Sequence, residues 1–112
     1  LLQAYLQKVV NGGGRVEREY ALGRGRVDLL ILWPHGGLVR RFVVECKVRR
    51  DGLEPTVREG VEQTRDYMDR CGADSGHLIV FDRSEARTRE EKIFRRPVPA
   101  AGGGAPVTVW GM

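Results

Sequence analysis

Apolar residues at Leu1, Leu2, Tyr5, Leu6, Val9 and Val10 recur every three to four positions, the spacing of an amphipathic helix, and Asn11-Gly12-Gly13-Gly14 ends it. The period then shortens to about two. Arg15 to Leu22 alternates loosely, Gly23-Arg24-Gly25 supplies a turn tolerant of positive φ, and Arg26 to Trp33 returns as the second arm of a hairpin. A second turn, Pro34-His35-Gly36-Gly37, leads into a third strand from Leu38 to Val48. Three strands joined by short turns predict an antiparallel meander.

Asp51-Gly52 breaks that strand, and Thr56-Val57-Arg58-Glu59 matches a Thr-x-x-Glu capping box, so a helix is expected from about Thr56 to just before Gly72. Val57, Val61, Thr64, Met68 and Cys71 make its apolar stripe, which should pack on the sheet. HLIVFD, residues 77–82, is short and almost continuously apolar, the mark of a strand buried on both faces after a crossover helix. The charged stretch Arg83 to Lys92 and the run Arg95-Arg96-Pro97-Val98-Pro99 follow. Residues 97–106 read as a flexible Pro/Gly-rich connection, and Val107 to Trp110 as one more strand, at an edge of the sheet. The pattern is that of an α/β protein with a mixed central sheet flanked by helices.

A chain of 112 residues with 41% hydrophobic content forms one domain around one modest core. It begins without Met on a helical pattern, so a fragment of a longer protein is expected. Its longest apolar runs, such as LLILW at 29–33, fall well short of the ~20 residues that span a bilayer, so no membrane partner is expected. Two cysteines with no framework spacing suggest a reducing, cytoplasmic setting. Two scattered histidines complete no zinc pattern, neither GGG run fits a phosphate-binding P-loop, and Ser75 and Ser84 lack a GxSxG setting.

The net charge of +4 is unevenly spread: residues 15–50 carry nine Arg or Lys against four acids, whereas 51–112 carry nine against eleven. Clustered arginines suit phosphate, and equally a solvated surface. Sharper chemistry lies in RFVVECKV, residues 41–48. Alternation places Phe42, Val44, Cys46 and Val48 on one face and Val43, Glu45 and Lys47 on the other. On the preceding strand Val27, Leu29, Ile31 and Trp33 share a face, and Asp28 is the one acid on the opposite face. Lone carboxylates among leucines and valines need partners. A cross-strand ion cluster on a solvated face satisfies them; so does a shared hard cation such as Mg²⁺, held by Asp28 and Glu45 with the Cys46 carbonyl as a third ligand. Lys47 would then stand beside a cation-bound water, able to orient it or to stabilise charge developing at phosphorus. Gln63 and Tyr67 lie one helical turn apart, offset from the apolar stripe, where they either contact nucleic acid and ligating carboxylates or are simply surface and packing residues.

Asp28 in a hairpin strand, Glu45-Cys46-Lys47 at the end of the next, and a helix bearing Gln63-Thr64-Arg65-Asp66-Tyr67 together resemble the PD-(D/E)XK nuclease superfamily over residues 1–82. The Gln-x-x-x-Tyr element resembles the subgroup typified by bacterial recombination exonucleases. GRGRVDLLILWP through EKIFRR also resembles a domain found C-terminal to AAA-type ATPase modules. The resemblance implies a restriction-endonuclease-like αβββαβ core and Mg²⁺- or Mn²⁺-dependent hydrolysis of phosphodiester bonds in DNA, or RNA. Asp28, Glu45 and Lys47 would be catalytic, Gln63 and Tyr67 supporting, and Arg24, Arg26, Arg49 and Arg50 close to the nucleic-acid backbone. An ATPase module in the same full-length chain is an expected partner. The alternative is an inactive binding or docking module of the same fold. Many superfamily members carry another metal-binding acid on the first helix; Leu1 to Val10 contains none, and Glu19 substitutes only if strand register brings it beside Asp28.

Overall fold

A computed structural model of the chain describes residues 13–21, 26–35, 37–50, 52–99 and 104–112; for 16–21, 26–29 and 35 it describes the backbone alone. The expected helix over 1–10 and the turn at 22–25 lie outside the described residues.

Strands β1 (Arg15–Ala21), β2 (Arg26–His35) and β3 (Leu38–Val48) form the expected antiparallel meander. Helix α1 (Leu53–Cys71) then crosses to β4 (Ser75–Phe81), which pairs parallel to β3. A single-turn helix, α2 (Arg89–Lys92), precedes β5 (Phe94–Val98) and β6 (Val107–Gly111). The six strands make one mixed sheet in the order β1-β2-β3-β4-β6-β5. The protein is thus α/β. Among the described residues no helix is long and apolar enough to cross a membrane.

Two expectations about the C-terminal strands are corrected. The segment from Val107 is not an edge strand: β6 pairs parallel to β4 on one side and antiparallel to β5 on the other, with Val107 and Val109 fully buried. On that side the edge of the described sheet is β5, FRRPV, for which the sequence marks no strand: Arg95 and Arg96 follow the charged stretch 83–92, and Pro97 and Val98 read as the start of a flexible connection. A proline without an N–H is compatible with a strand paired on one side, and among the described residues β5 pairs with β6 alone.

The start of α1 differs too. It begins at Leu53 with Gly52 as an N-cap that contributes no side-chain bond, so the Thr56–Glu59 box does not form. Pro55 tolerates the first turn, where N–H groups lack intrahelical partners. The Thr56 hydroxyl instead donates toward the carbonyls of Arg50 (3.0 Å) and Gly52 (2.8 Å) and accepts from Arg50 N (3.2 Å), tying the helix start to the end of β3. The reciprocal capping box occurs at Thr88-Arg89-Glu90-Glu91, where Thr88 Oγ1 accepts from Glu91 N and Glu91 Oε1 from Thr88 N. That motif was equally legible in the sequence. The C-terminus of α1 falls where expected, with Gly72 at φ 66° donating to Met68 O.

The sheet packs in two directions. On one face Val43, Leu78, Val80, Val107 and Val109 meet Val57, Tyr67 and Met68 of α1. On the other, Ile31, Val44 and Ile79 are buried among Trp33, Phe42, Cys46, Phe81, Trp110 and Met112. This is the division that alternation along β2 and β3 requires. The buried face of α1 is Thr56, Val57, Gly60, Thr64, Tyr67 and Met68, with Val61 and Cys71 only partly covered, so the stripe is rotated from the expected one. Small residues set that rotation. A Cβ at Gly60 would lie 2.6 Å and 2.8 Å from the two methyls of Leu78, and one at Gly76 would strike Met68 Sδ and the Thr64 methyl. Helix and strand approach closely only because neither position has a side chain.

At the carboxyl end of the parallel strands, Asp82 accepts both arms of the Arg87 guanidinium, Ser84 N (2.9 Å) and, at 3.5 Å, Arg49. These partners, Arg87 foremost, bring its pKa down to about 2. On β4, His77 Nδ1 accepts from Trp110 Nε1 at 3.1 Å, and burial first, then Arg95, lowers the His77 pKa.

Gly60→Ala is expected to destabilise the fold by about 1–3 kcal/mol in urea unfolding, overpacking against Leu78 outweighing the gain in helix propensity. Stability should also fall in two separate acid ranges. His77 has a depressed pKa in the folded state, so its contribution is complete above the unfolded value of about 6.5 and is lost as pH falls from there. Asp82, also depressed, contributes fully above about pH 4 and loses that contribution toward about pH 2. Thermal melts against pH should lose the upper step in His77→Gln and the lower one in Asp82→Asn.

Candidate functional site

Strand register decides which acids can meet. Glu19 of β1 pairs opposite Asp28 of β2, and Asp28 pairs opposite Glu45 of β3. Residues directly opposite in antiparallel pairs belong to the same face of the sheet, so three carboxyl-bearing residues occupy one cross-strand row. Glu19 therefore has the register position that the sequence left open. Lys47 is two residues beyond Glu45, on the same face.

At β3 that face is not solvated, because α1 packs on it. Glu45 has 0% exposure, and Thr64 Oγ1 on α1 lies 3.3 Å from its Oε2. The same hydroxyl is 2.7 Å from Gly60 O, four residues back in the helix. One proton thus serves two acceptors, which couples the Glu45 carboxyl to the backbone of α1.

Lys47, 18% exposed, approaches two acceptors on α1: Glu59 Oε1 at 3.1 Å and Gln63 Oε1 at 3.3 Å. Gln63 Nε2 donates to Glu59 Oε1 at 3.2 Å. The three groups close a triangle because Glu59 and Gln63 are one helical turn apart. The ammonium is held laterally, one pleat beyond Glu45. Glu59 itself is 62% exposed, so this ion pair borders solvent.

The other expected site residues are dispersed. Tyr67 is 7% exposed and packs with Val43, Met68 and Val107, with the Arg70 guanidinium 5.3 Å from its ring centre; it belongs to the helix–sheet core rather than to a face offset from the apolar stripe. Only Gln63 of the Gln-x-x-x-Tyr pair reaches Lys47. Cys46 lies in a strand paired on both sides, opposite Val27 and Ile79, so its carbonyl sits within a sheet ladder. Arg49 points to Asp82, and Arg50 is exposed with its backbone bound to Thr56. Arg24 lies outside the described residues, and Arg26 is placed by its backbone at the first pair of the β1–β2 ladder, opposite Ala21.

Two participants escaped the sequence reading. Glu59 was assigned to a helix cap, although its spacing of four from Gln63 put both on one helix face. Thr64 was counted as part of the apolar stripe, although a hydroxyl facing a strand that carries a glutamate is a ready donor. Among residues whose side chains are described, no group of three or more His, Cys, Asp or Glu is placed to hold a metal ion; Glu19 and Asp28 are described by backbone only. No family model matches the chain, and no curated protein matches it.

Thr64→Val, which leaves buried Glu45 without this donor, should cost about 1–3 kcal/mol in denaturant unfolding. Glu59→Gln removes the formal charge from the solvent-exposed partner of the pair and should cost under about 1 kcal/mol. Equal losses in the two variants would contradict the difference in burial on which this rests.

Proposed function

We propose that the chain is a metal-dependent nuclease domain of restriction-endonuclease-like fold that hydrolyses phosphodiester bonds in DNA. The observation that carries this reading is the single row Glu19–Asp28–Glu45 across three adjacent strands, with Lys47 next on the same face.

The donor set fits a hard divalent cation, because carboxylate oxygens are what Mg²⁺ and Mn²⁺ take. Asp28 and Glu45 would hold it, Glu19 stands beside Asp28 in register, and the Cys46 carbonyl is adjacent in sequence. When bound, the cation supplies Lewis acidity and a water acidic enough to attack at neutral pH. The chain's own residues do the rest. Thr64 fixes the Glu45 carboxyl from the helix side. Lys47 offers a positive charge beside the row, and Glu59 with Gln63 determines where its ammonium rests. An ammonium pre-positioned in a partly dehydrated setting can stabilise negative charge on a phosphoryl oxygen without reorganising first. Arg50 would supply a cation for flanking phosphates, as would Arg24 and Arg26 on the sequence reading, which makes recognition a matter of backbone charge rather than base sequence.

A specific observation supports a second reading, an inactive nucleic-acid-binding or docking module, including one attached to an ATPase. Glu45 has 0% exposure and Lys47 is already ion-paired, an arrangement that also serves to anchor a helix on a sheet.

The two readings separate on metal binding and cleavage. Under the first, Mn²⁺ binds by titration calorimetry and a labelled duplex is cut; Asp28→Asn abolishes both. Lys47→Ala retains Mn²⁺ binding and loses cleavage by about 10²–10³-fold. Absence of Mn²⁺ binding to the unaltered chain, or equal cleavage by the Lys47→Ala protein, sinks the nuclease reading.

A further inference from the structure

A cleft of about 530 Å³ opens at the carboxyl end of the parallel strands, lined by Phe81, Asp82, Arg83, Arg89, Lys92 and Met112. The strands β3, β4 and β6 end here almost level, since Val48 pairs with Phe81 and Val80 with Gly111. Open α/β sheets present ligand sites at this end.

Its floor is tied down by backbone bonds, Arg49 N to Phe81 O (2.8 Å), Asp82 N to Met112 O (3.0 Å) and Met112 N to Val80 O (3.0 Å). Among the described residues that line it the one acid is already neutralised: Asp82 is clasped by Arg87 and approached by Arg49. Glu91, the nearest acid in sequence to Lys92, is turned back into the Thr88 capping box. Arg89 and Lys92 are three apart on the single turn of α2, so they lie on one side of it. Among the described residues, the side chains of Arg83, Arg89 and Lys92 have no hydrogen-bond or ion-pair partner, and all three line this space. Three unneutralised cations therefore surround an apolar floor of Phe81 and Met112.

We propose that this cleft binds a nucleoside monophosphate unit, its phosphate on Arg83, Arg89 and Lys92 and its base against Phe81 and Met112. Two guanidiniums match the oxygens of a phosphate dianion, and an aromatic ring beside a thioether suits a flat base. The volume is that of a small-ligand site. Binding here uses neither the acid row nor Lys47. The nuclease reading bears only on the source of the nucleotide, either a free mononucleotide or the phosphorylated end of a strand.

The test is calorimetric titration of the full chain at low ionic strength with a chelator present, which separates binding from metal chemistry. Adenosine 5′-monophosphate is expected to bind, and to bind more tightly than either inorganic phosphate or adenosine. The double variant Arg83→Ala with Arg89→Ala should weaken it by about tenfold or more, with an unchanged melting temperature. Phe81→Leu should weaken the mononucleotide but not phosphate. A 5′-phosphorylated tetranucleotide that binds more tightly than both its 5′-hydroxyl counterpart and the mononucleotide assigns the cleft to strand ends; the reverse order assigns it to free nucleotide. Lys47→Ala should bind as the unaltered chain does, whatever becomes of cleavage. No binding of the mononucleotide, or equal binding by the double arginine variant, overturns the proposal.

Discussion

A glutamate with no solvent exposure in the middle of a sheet is the constraint around which this protein is arranged. Transferring a carboxyl group out of water is unfavourable unless polar partners replace the water. Glu45 lies on the face of β3 that α1 covers, flanked by Val43 and Lys47, so the helix that buries the valine must also provide for the acid and the lysine. It does so with residues spaced about a turn apart: Gln63 and Glu59 toward Lys47, and Thr64 toward Glu45. Thr64 can reach because the helix lies close, and the helix lies close because Gly60 and Gly76 put no side chain between it and β4. The packing of the core and the geometry of the candidate site are one arrangement.

The sheet supplies the complementary constraint. Antiparallel pairing of β1, β2 and β3 aligns Glu19, Asp28 and Glu45 in one row, and a slip of one residue on either outer strand would move its acid to the opposite face. Parallel pairing of β3, β4 and β6 brings their carboxyl ends together, where the arginines of the segment after β4 collect. The acid row with Lys47 and the basic cleft thus belong to the same end of neighbouring strands, with charges of opposite character.

The candidate site was partly legible because it is carried by local pattern. Alternation along RFVVECKV placed Glu45 and Lys47 together and opposite Val44, which is how they lie. The fate of Tyr67 was not legible: a tyrosine one turn from Gln63 fits either a polar face or a core edge, and only the rotation of α1 set by Gly60 and Gly76 resolves it. The same limit applied to β5. FRRPV shows no strand pattern, its Pro97 and Val98 reading as the start of a flexible connection, and pairing with β6 at a sheet edge is a long-range event that local composition does not encode.

Periodicity, turn residues and the Glu-x-Lys spacing by themselves determined the meander, the crossover helix, the buried fourth strand and the faces on which the charged residues of β3 fall. These depend on the fixed geometry of strand and helix, in which a residue's position along the chain sets its side of the element. Tertiary structure alone decided that β6 is interior, that the Glu45 face is covered, that Thr56 ties the helix start to a strand end instead of capping it, and that Arg83, Arg89 and Lys92 gather round one cleft. Each of these depends on which segments distant in the chain become neighbours in space, and that follows from the combined packing of the whole sheet and helix rather than from any local pattern.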